Sequence, residues 1–220
     1  MEIKSTRGLH TSSIKCIVYG DSGAGKTSLI GTLPEREILI ISAESGLLSL
    51  DDKDIDSLSV STFSEARESY AIAKNSDYNT IAIDSLTEIS DMLVSQLEKL
   101  PEFQDPKMTM KMWGVYNKTI TAFIKSFRAL DKNVVFTALA EDVNDGGVII
   151  KKPFIKGTAA QKMLASYFDE VFYLSTNEQG ERSLNTLNTH SYTAKDRSGK
   201  LEATEEANLQ SIFNKIKGEK

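Results

Sequence analysis

Short apolar runs alternate along the chain with stretches in which apolar residues recur at helical spacing. Several of the runs are almost uninterrupted and rich in β-branched residues, which is typical of strands that are buried on both faces. The predicted strands are 13–20, 37–43, 57–62, 80–85, 133–140, 170–175 and 182–188. The pattern indicates a sheet that lies inside the protein.

Helical periodicity occupies most of the segments between these runs. The predicted helices are 26–33, 64–75, 86–100, 114–131 and 204–217. Ser64 and Thr204 have side chains suited to capping the second and the last of them. Alternating strands and helices predict an α/β fold with a doubly wound, mostly parallel sheet flanked by helices, and with antiparallel strands toward the C-terminus. We expect residues 1–220 to form one domain with residues 1–12 as an N-terminal extension.

Composition places the chain among ordinary globular proteins. Of its 220 residues, 40% are hydrophobic and 26% are charged. No apolar run approaches the roughly 20 residues that span a bilayer, and the N-terminal segment lacks the apolar core of a signal peptide. Cys16 has no second cysteine with which to form a disulfide. These features favour a cytoplasmic protein without a membrane partner.

The net charge of −5 hides an uneven distribution. Residues 44–105 contain 14 acidic and 4 basic residues, whereas residues 106–165 contain 10 basic and 4 acidic residues. A basic middle segment in an acidic protein is suited to a polyanion, although lysines on solvated helix faces produce the same count. Charge alone leaves both interpretations open.

The stretch GDSGAGKT, residues 20–27, matches the phosphate-binding loop GxxxxGK[ST] in full. A predicted strand precedes it and an amphipathic helix follows it, as this motif requires. The predicted nucleotide-binding residues are Gly20, Asp21, Ser22, Gly23, Ala24, Gly25, Lys26, Thr27 and Ser28. Lys26 is expected to reach the β- and γ-phosphates of ATP, and the Thr27 hydroxyl to bind Mg²⁺.

Two carboxylates follow predicted strands. Asp84 ends the strand over 80–85, where it would hold the magnesium ion with Thr27. Glu44 follows the strand over 37–43, and the carboxyl ends of parallel strands open onto one crevice. A glutamate at that place can orient the water that attacks the γ-phosphate and accept its proton. The alternative is that Glu44 only caps the following turn.

The order GDSGAGKT, ISAESG and IAIDS resembles the RecA-like ATPase core, and more closely the small phage-encoded nucleotide-binding proteins of the AAA family ATPase type. The resemblance covers roughly residues 13–217. It implies a RecA-like P-loop NTPase that hydrolyses ATP with Mg²⁺ in recombination or single-strand annealing. It also implies a homo-oligomer whose partners are single-stranded DNA and a single-strand binding protein. Ser85 stands where AAA+ proteins usually place a catalytic glutamate, and Glu44 would fill that role.

Lys195 and Arg197 form a K-x-R pair beyond the last predicted strands. In hexameric and filamentous RecA-like ATPases a pair at this place reaches the nucleotide of a neighbouring subunit. By this resemblance both residues would act in catalysis between subunits and make hydrolysis depend on assembly. A solvated basic turn is the alternative.

Two segments correspond to the DNA-contacting loops of RecA proteins, 101–114 and 141–157. Each combines lysines with an aromatic residue, as tracking of phosphates and stacking on bases require. The DNA-binding candidates are Lys107, Lys111, Trp113, Lys151, Lys152, Phe154 and Lys156. Both aromatic residues could instead anchor their loops to the core.

The chain departs from RecA proteins where an Asn-Gln pair links the nucleotide to the DNA loops. Ala138 and Leu139 stand there, so Thr137 or Glu141 is the candidate replacement. This departure puts strand exchange in doubt.

Two other functions stay open: a monomeric nucleotide kinase, and a nucleotide-dependent assembly regulator without DNA contact. A GTPase is disfavoured because the chain has no NKxD motif. Strand order separates kinase from RecA-like protein, since only the latter places a strand between the phosphate-loop strand and the Asp84 strand.

Overall fold

A computed structural model describes residues 13–44 and 46–219. The predicted extension over 1–12 therefore lies outside the described residues. In the described part of the chain the sheet has ten strands. They are β1 (Lys15–Gly20), β2 (Ile38–Ser42), β3 (Asp56–Ser59), β4 (Thr80–Asp84), β5 (Asn133–Asp145), β6 (Val148–Pro153), β7 (Glu170–Thr176), β8 (Arg182–Asn185), β9 (Lys195–Asp196) and β10 (Thr204–Glu206).

The main path of the sheet runs β10-β8-β7-β1-β5-β4-β2-β3. The six strands from β7 to β3 pair in parallel. Antiparallel pairing joins β8 to β7, β10 to β8, β6 to β5 and β9 to β7. The expected α/β fold is confirmed, with a mostly parallel sheet and antiparallel strands toward the C-terminus. The strand β5 lies between β1 and β4, which is the order expected of a RecA-like protein rather than a kinase.

Helices cover both faces of the sheet. They are α1 (Lys26–Ile30), α2 (Phe63–Asn75), α3 (Leu86–Glu98), α4 (Thr109–Arg128), α5 (Thr158–Leu164) and α6 (Leu209–Lys217). Side chains of a strand alternate between its faces. On β1, Cys16 and Val18 pack in the layer of α1 and α6, whereas Ile17 and Tyr19 pack in the layer of α2 to α5. Both faces of β1 are therefore buried, as its uninterrupted apolar sequence predicts. None of the described helices combines the length and the apolarity that crossing a membrane requires.

The predicted helix over 204–217 is wrong in its first turn. Thr204 belongs to β10, an edge strand paired with β8, and not to a helix cap. The helix begins at Leu209, where the Asn208 side chain accepts a hydrogen bond from the Ser211 amide at 3.0 Å. The polar sequence of β10 carries no strand signal, because its pairing with β8 comes from tertiary structure. Likewise, the second helix is capped by Thr62 instead of Ser64.

The strand β5 is longer than predicted and continues beyond the sheet into a hairpin with β6. The hairpin turns over residues 145–148, and the Gly147 amide donates to the Asn144 side chain at 2.8 Å. Its tip is exposed and includes Val148 and Ile149. One continuous strand thus connects the centre of the sheet to a projecting hairpin.

Candidate functional site

The loop over residues 20–27 joins the carboxyl end of β1 to α1. Gly25 has φ 93°, a left-handed conformation that residues with a side chain seldom adopt. A Cβ atom at Gly20 would come within 2.7 Å of the Leu174 carbonyl oxygen on β7. The glycines of the motif are thus required by the backbone of this loop and by its close approach to β7.

The side chain of Lys26 is buried beneath this loop. Its ammonium donates to the carbonyl oxygens of Gly20 and Asp21, each at 3.0 Å. Burial lowers the pKa of Lys26, and the nearby carboxylates of Glu44 and Asp84 oppose that change. The loop, the lysine and both predicted carboxylates therefore share one electrostatic environment.

Asp84 ends β4 and is only 2% exposed. The Thr27 hydroxyl donates to Asp84 Oδ2 at 2.8 Å, and the Thr137 hydroxyl on β5 donates to Oδ1. Burial raises the pKa of the Asp84 carboxyl, whereas the hydrogen bonds from Thr137 and Thr27 lower it. Of the two residues considered as replacements for the Asn-Gln pair of RecA proteins, Thr137 contacts this carboxylate. The other, Glu141, accepts a hydrogen bond from Gln161.

The donor set at this point suits Mg²⁺. This ion prefers oxygen ligands and is usually held by one or two carboxylates together with substrate phosphates and water. Thr27 and Asp84 supply a hydroxyl and a carboxylate 2.8 Å apart at the base of the loop. Within the described residues no cluster of three or more His, Cys, Asp or Glu side chains could hold a metal by itself. The site therefore fits a magnesium ion that arrives with a nucleotide.

Glu44 follows β2 by two residues and is half-buried. The Ser85 hydroxyl donates to Glu44 Oε1 at 2.6 Å, and the Ser42 hydroxyl donates to the Glu44 carbonyl oxygen at 2.5 Å. Ser85 directly follows Asp84, so one chain segment holds both carboxylates. Ser85 thereby orients the Glu44 carboxylate. The sequence analysis noted only that position 85 is a serine and not a glutamate, and it did not predict the contact of Ser85 with Glu44.

Lys195 and Arg197 lie near the amino-terminal end of β7, because β9 pairs with the first residues of that strand. The phosphate loop lies at the other end of the parallel strands, after the carboxyl end of β1. The Lys195 ammonium donates to the carbonyl oxygens of Ala165 and Phe168. The Arg197 guanidinium forms an ion pair with Asp169. Within its own chain the pair stabilises the segment that enters β7. A catalytic role in a neighbouring subunit stays a prediction.

The two segments proposed for DNA contact are neighbours in the structure. The Trp113 ring packs edge-on against Tyr116, and a Cβ atom at Gly157 would lie 3.3 Å from the Trp113 ring. Lys107 and Lys111 are exposed near the start of α4. The start of α4 therefore meets the end of the segment 141–157.

Phe154 and Lys156 lie just after β6, next to α3. The Lys156 ammonium is 5.7 Å from the centre of the Phe154 ring and 3.5 Å from Asp91 Oδ1. The Phe154 carbonyl accepts a hydrogen bond from Thr87 at 2.8 Å. Both candidates are half-buried. Each therefore contacts the rest of the protein, and the exposed part of each side chain is what the proposed contact with DNA would use.

Lys151 occupies a place that the sequence did not indicate. Its ammonium lies 3.0 Å from Asp21 Oδ1 on the phosphate loop and 3.1 Å from Asp142 Oδ1 on β5. The Tyr19 hydroxyl also donates to the Lys151 carbonyl at 3.0 Å. The hairpin is thereby joined to the phosphate loop. Lys152, the next residue on β6, points to the other face of the strand.

Arg182 was missed altogether, because a single arginine in a polar segment has no motif. It opens β8 and lies against Gly25 of the phosphate loop. The pairing of β8 with β7, and of β7 with β1, places it there. Only the topology could reveal this contact.

A comparison with protein-family models matches residues 12–198 to the AAA domain. A search of the curated proteins finds no match to the sequence. The matched range contains the phosphate loop, Glu44 and Asp84, and extends through β9. With this coverage and the geometry above, the chain belongs to the AAA domain family of P-loop ATPases.

Proposed function

We propose that this protein hydrolyses ATP in a magnesium-dependent reaction with Glu44 as the general base. The observation that carries the proposal is the position of the Glu44 carboxylate, which Ser85 holds at 2.6 Å beside the segment that carries Asp84. A positioned glutamate, a phosphate loop and a magnesium-binding aspartate are the parts that hydrolysis of a nucleoside triphosphate needs.

Each residue has a defined task in this proposal. The loop amides and the Lys26 ammonium bind the phosphates. To do so, the lysine gives up its hydrogen bonds to the Gly20 and Asp21 carbonyls and donates to phosphate oxygens instead. Thr27 and Asp84 would hold Mg²⁺, which supplies neutralisation of the phosphate charge. Thr137 keeps the Asp84 carboxylate in its orientation.

Glu44 would orient water and accept its proton. The hydrogen bond from Ser85 to Oε1 restricts rotation of the carboxylate. The other oxygen, Oε2, is thereby kept in one orientation and would be the atom that accepts the proton. Ser85 also accepts a hydrogen bond from the Glu88 amide at 3.4 Å, which ties it to the first turn of α3. A base that is held before the substrate arrives requires little reorganisation during the reaction.

We further propose that the ATPase acts with single-stranded DNA, in recombination or replication of the kind suggested by the resemblance to phage-encoded proteins. Two observations support this. The lysine-containing segments 101–114 and 141–157 adjoin at Trp113 and Gly157, so they could form one surface. The hairpin also reaches the nucleotide site through Thr137 on β5 and through the ion pair of Lys151 with Asp21.

The variant Glu44→Gln tests the catalytic assignment, because it keeps the shape of the side chain and removes the proton acceptor. We expect ATP binding to persist and release of phosphate to fall roughly 100-fold, the usual scale for loss of a general base. Glu68→Gln is the matched control, since Glu68 is exposed on α2. Unchanged turnover in Glu44→Gln would show that Glu44 is structural and make Glu141 the next candidate.

Turnover is measured with and without single-stranded DNA, at two protein concentrations. Stimulation by DNA supports the DNA partner, and a rise of turnover per protomer with concentration supports a homo-oligomer. Phosphate transfer to a nucleotide acceptor would instead identify a kinase. Binding of ATP without any turnover would identify an assembly regulator.

A further inference from the structure

The Arg182 guanidinium lies directly on the phosphate loop. A Cβ atom placed on Gly25 would come within 2.6 Å of Arg182 Nη1 and 2.7 Å of Nε, so the guanidinium occupies the space of the missing side chain. Gly25 immediately precedes Lys26, the lysine expected to bind phosphate. The arginine is exposed, so its charge is accessible at the rim of the loop.

The backbone of Arg182 is held by a well-bonded turn. Arg182 pairs with Thr176 across β8 and β7. In the turn between these strands, the Asn177 side-chain oxygen accepts from the amides of Gln179 and Glu181 at 3.1 and 2.8 Å. The Glu181 carboxylate accepts from the Asn177 amide group at 2.7 Å. The Glu181 carboxylate is thus bonded to Asn177 within the turn, and the turn fixes the backbone position of Arg182.

Besides Lys151, which is paired with Asp21 and Asp142, two cations lie against the same loop. Lys26 is buried and reaches the loop carbonyls from inside, whereas Arg182 approaches from the β7–β8 edge. Among the described residues, Arg182 forms no ion pair that would hold its charge elsewhere. A guanidinium is planar, permanently charged and suited to contact two phosphate oxygens at once.

We propose that Arg182 binds the phosphate chain of the nucleotide held by residues 20–27 of its own chain. The inference rests on the proposed nucleotide-binding function and adds a second phosphate-binding cation to it. Arg182 determines affinity for the phosphate chain whichever base is attached. Because it acts within one chain, its effect is independent of assembly, in contrast to the role predicted for Lys195 and Arg197.

The test compares Arg182→Ala and Arg182→Lys with the wild type in dilute protein. Binding of ATP, ADP, GTP and inorganic tripolyphosphate is measured by displacement of a fluorescent nucleotide. For Arg182→Ala we expect the Kd of all four to rise about tenfold, since a hydrogen bond to a charged group is worth at least that factor. The Lys variant should recover part of the loss because it keeps the charge without the fork.

Arg36→Ala is the matched control, because Arg36 is also exposed and its partner Asp54 lies away from the phosphate loop. Melting without nucleotide should be unchanged in Arg182→Ala, and Arg182→Gln provides a second variant that keeps most of the stem. An unchanged or lower Kd in Arg182→Ala would overturn the inference. A loss seen with ATP but absent with tripolyphosphate would also overturn it, since the contact would then be with the base or the ribose.

Lys26→Ala separates this inference from the proposed function. If Lys26→Ala fails to weaken binding of tripolyphosphate, the assignment of the phosphate loop itself is refuted. If Lys26→Ala abolishes binding and Arg182→Ala leaves it intact, only the role of Arg182 is refuted.

Discussion

Thr137 offers a direct test of how the sheet prepares the magnesium site. It is fully buried on β5, and its hydroxyl donates to Asp84 Oδ1, while Thr27 donates to Oδ2. Replacing Thr137 by valine keeps the branched shape and removes the donor. Valine fills the space of the buried threonine, so the substitution opens no room for a water molecule to replace the lost hydroxyl.

The expected loss follows from the charge of the acceptor. A hydrogen bond to a charged group contributes about 1.5–3 kcal/mol, and here the contribution favours the ionised form of Asp84. Burial already raises the pKa of this carboxyl, and the hydrogen bond from Thr137 is the strongest influence that lowers it. In Thr137→Val the pKa therefore rises further. Because the carboxylate must be ionised to hold Mg²⁺, turnover should be lost at a higher pH than in the wild type.

The assay is ATP turnover as a function of pH at several magnesium concentrations. We expect the acid limb of the profile to move to higher pH, and more Mg²⁺ to be needed for half-maximal turnover on that limb. Thr137→Ser is the control, because it keeps the hydroxyl and loses only a methyl group, at a stability cost of about 1 kcal/mol. An acid limb that does not move in Thr137→Val, or that moves equally in Thr137→Ser, would refute the reasoning.

Two further predictions concern charges away from the magnesium site. Lys151→Gln removes the ion pairs with Asp21 and Asp142; it should lower the free energy of unfolding in urea by no more than about 1 kcal/mol, since the pairs are partly exposed. It should also reduce stimulation of turnover by single-stranded DNA, and equal stimulation in variant and wild type would contradict the proposed link between hairpin and loop. Burial, then the Asp196 carboxylate, raises the pKa of Glu170 to about 8, so the folded protein retains a proton that the unfolded chain releases above its ordinary pKa of 4.5. Stability should therefore fall as pH rises from 4.5 to 8, and in Glu170→Gln the melting temperature should depend less on pH across this window; the same slope in both proteins would exclude Glu170 as the source.

The local features of the nucleotide site could be predicted from the sequence because short-range chemistry specifies them. The glycines and the lysine of residues 20–27 are consecutive, and their order alone identifies the loop. The uninterrupted apolar runs before Glu44 and Asp84 likewise predicted buried strands whose ends carry carboxylates. These predictions concern neighbours along the chain, where the backbone itself sets the distance.

Tertiary structure alone decided which of these residues meet. Ser85 contacts Glu44 across 41 positions, and Thr137 contacts Asp84 across 53. Both contacts depend on the order of the strands, which the apolar pattern does not encode. The apolar pattern indicates that a strand is buried, but it does not indicate which strand lies beside it.

The same reason explains the residues that were missed or placed differently. Lys151 contacts Asp21 across 130 positions, because a hairpin folds back over the loop. Arg182 reaches Gly25 because β7 pairs with β1 and carries β8 beside it. The sequence determined the phosphate loop and the carboxylates, whereas pairing between distant strands determined which side chains orient and surround them.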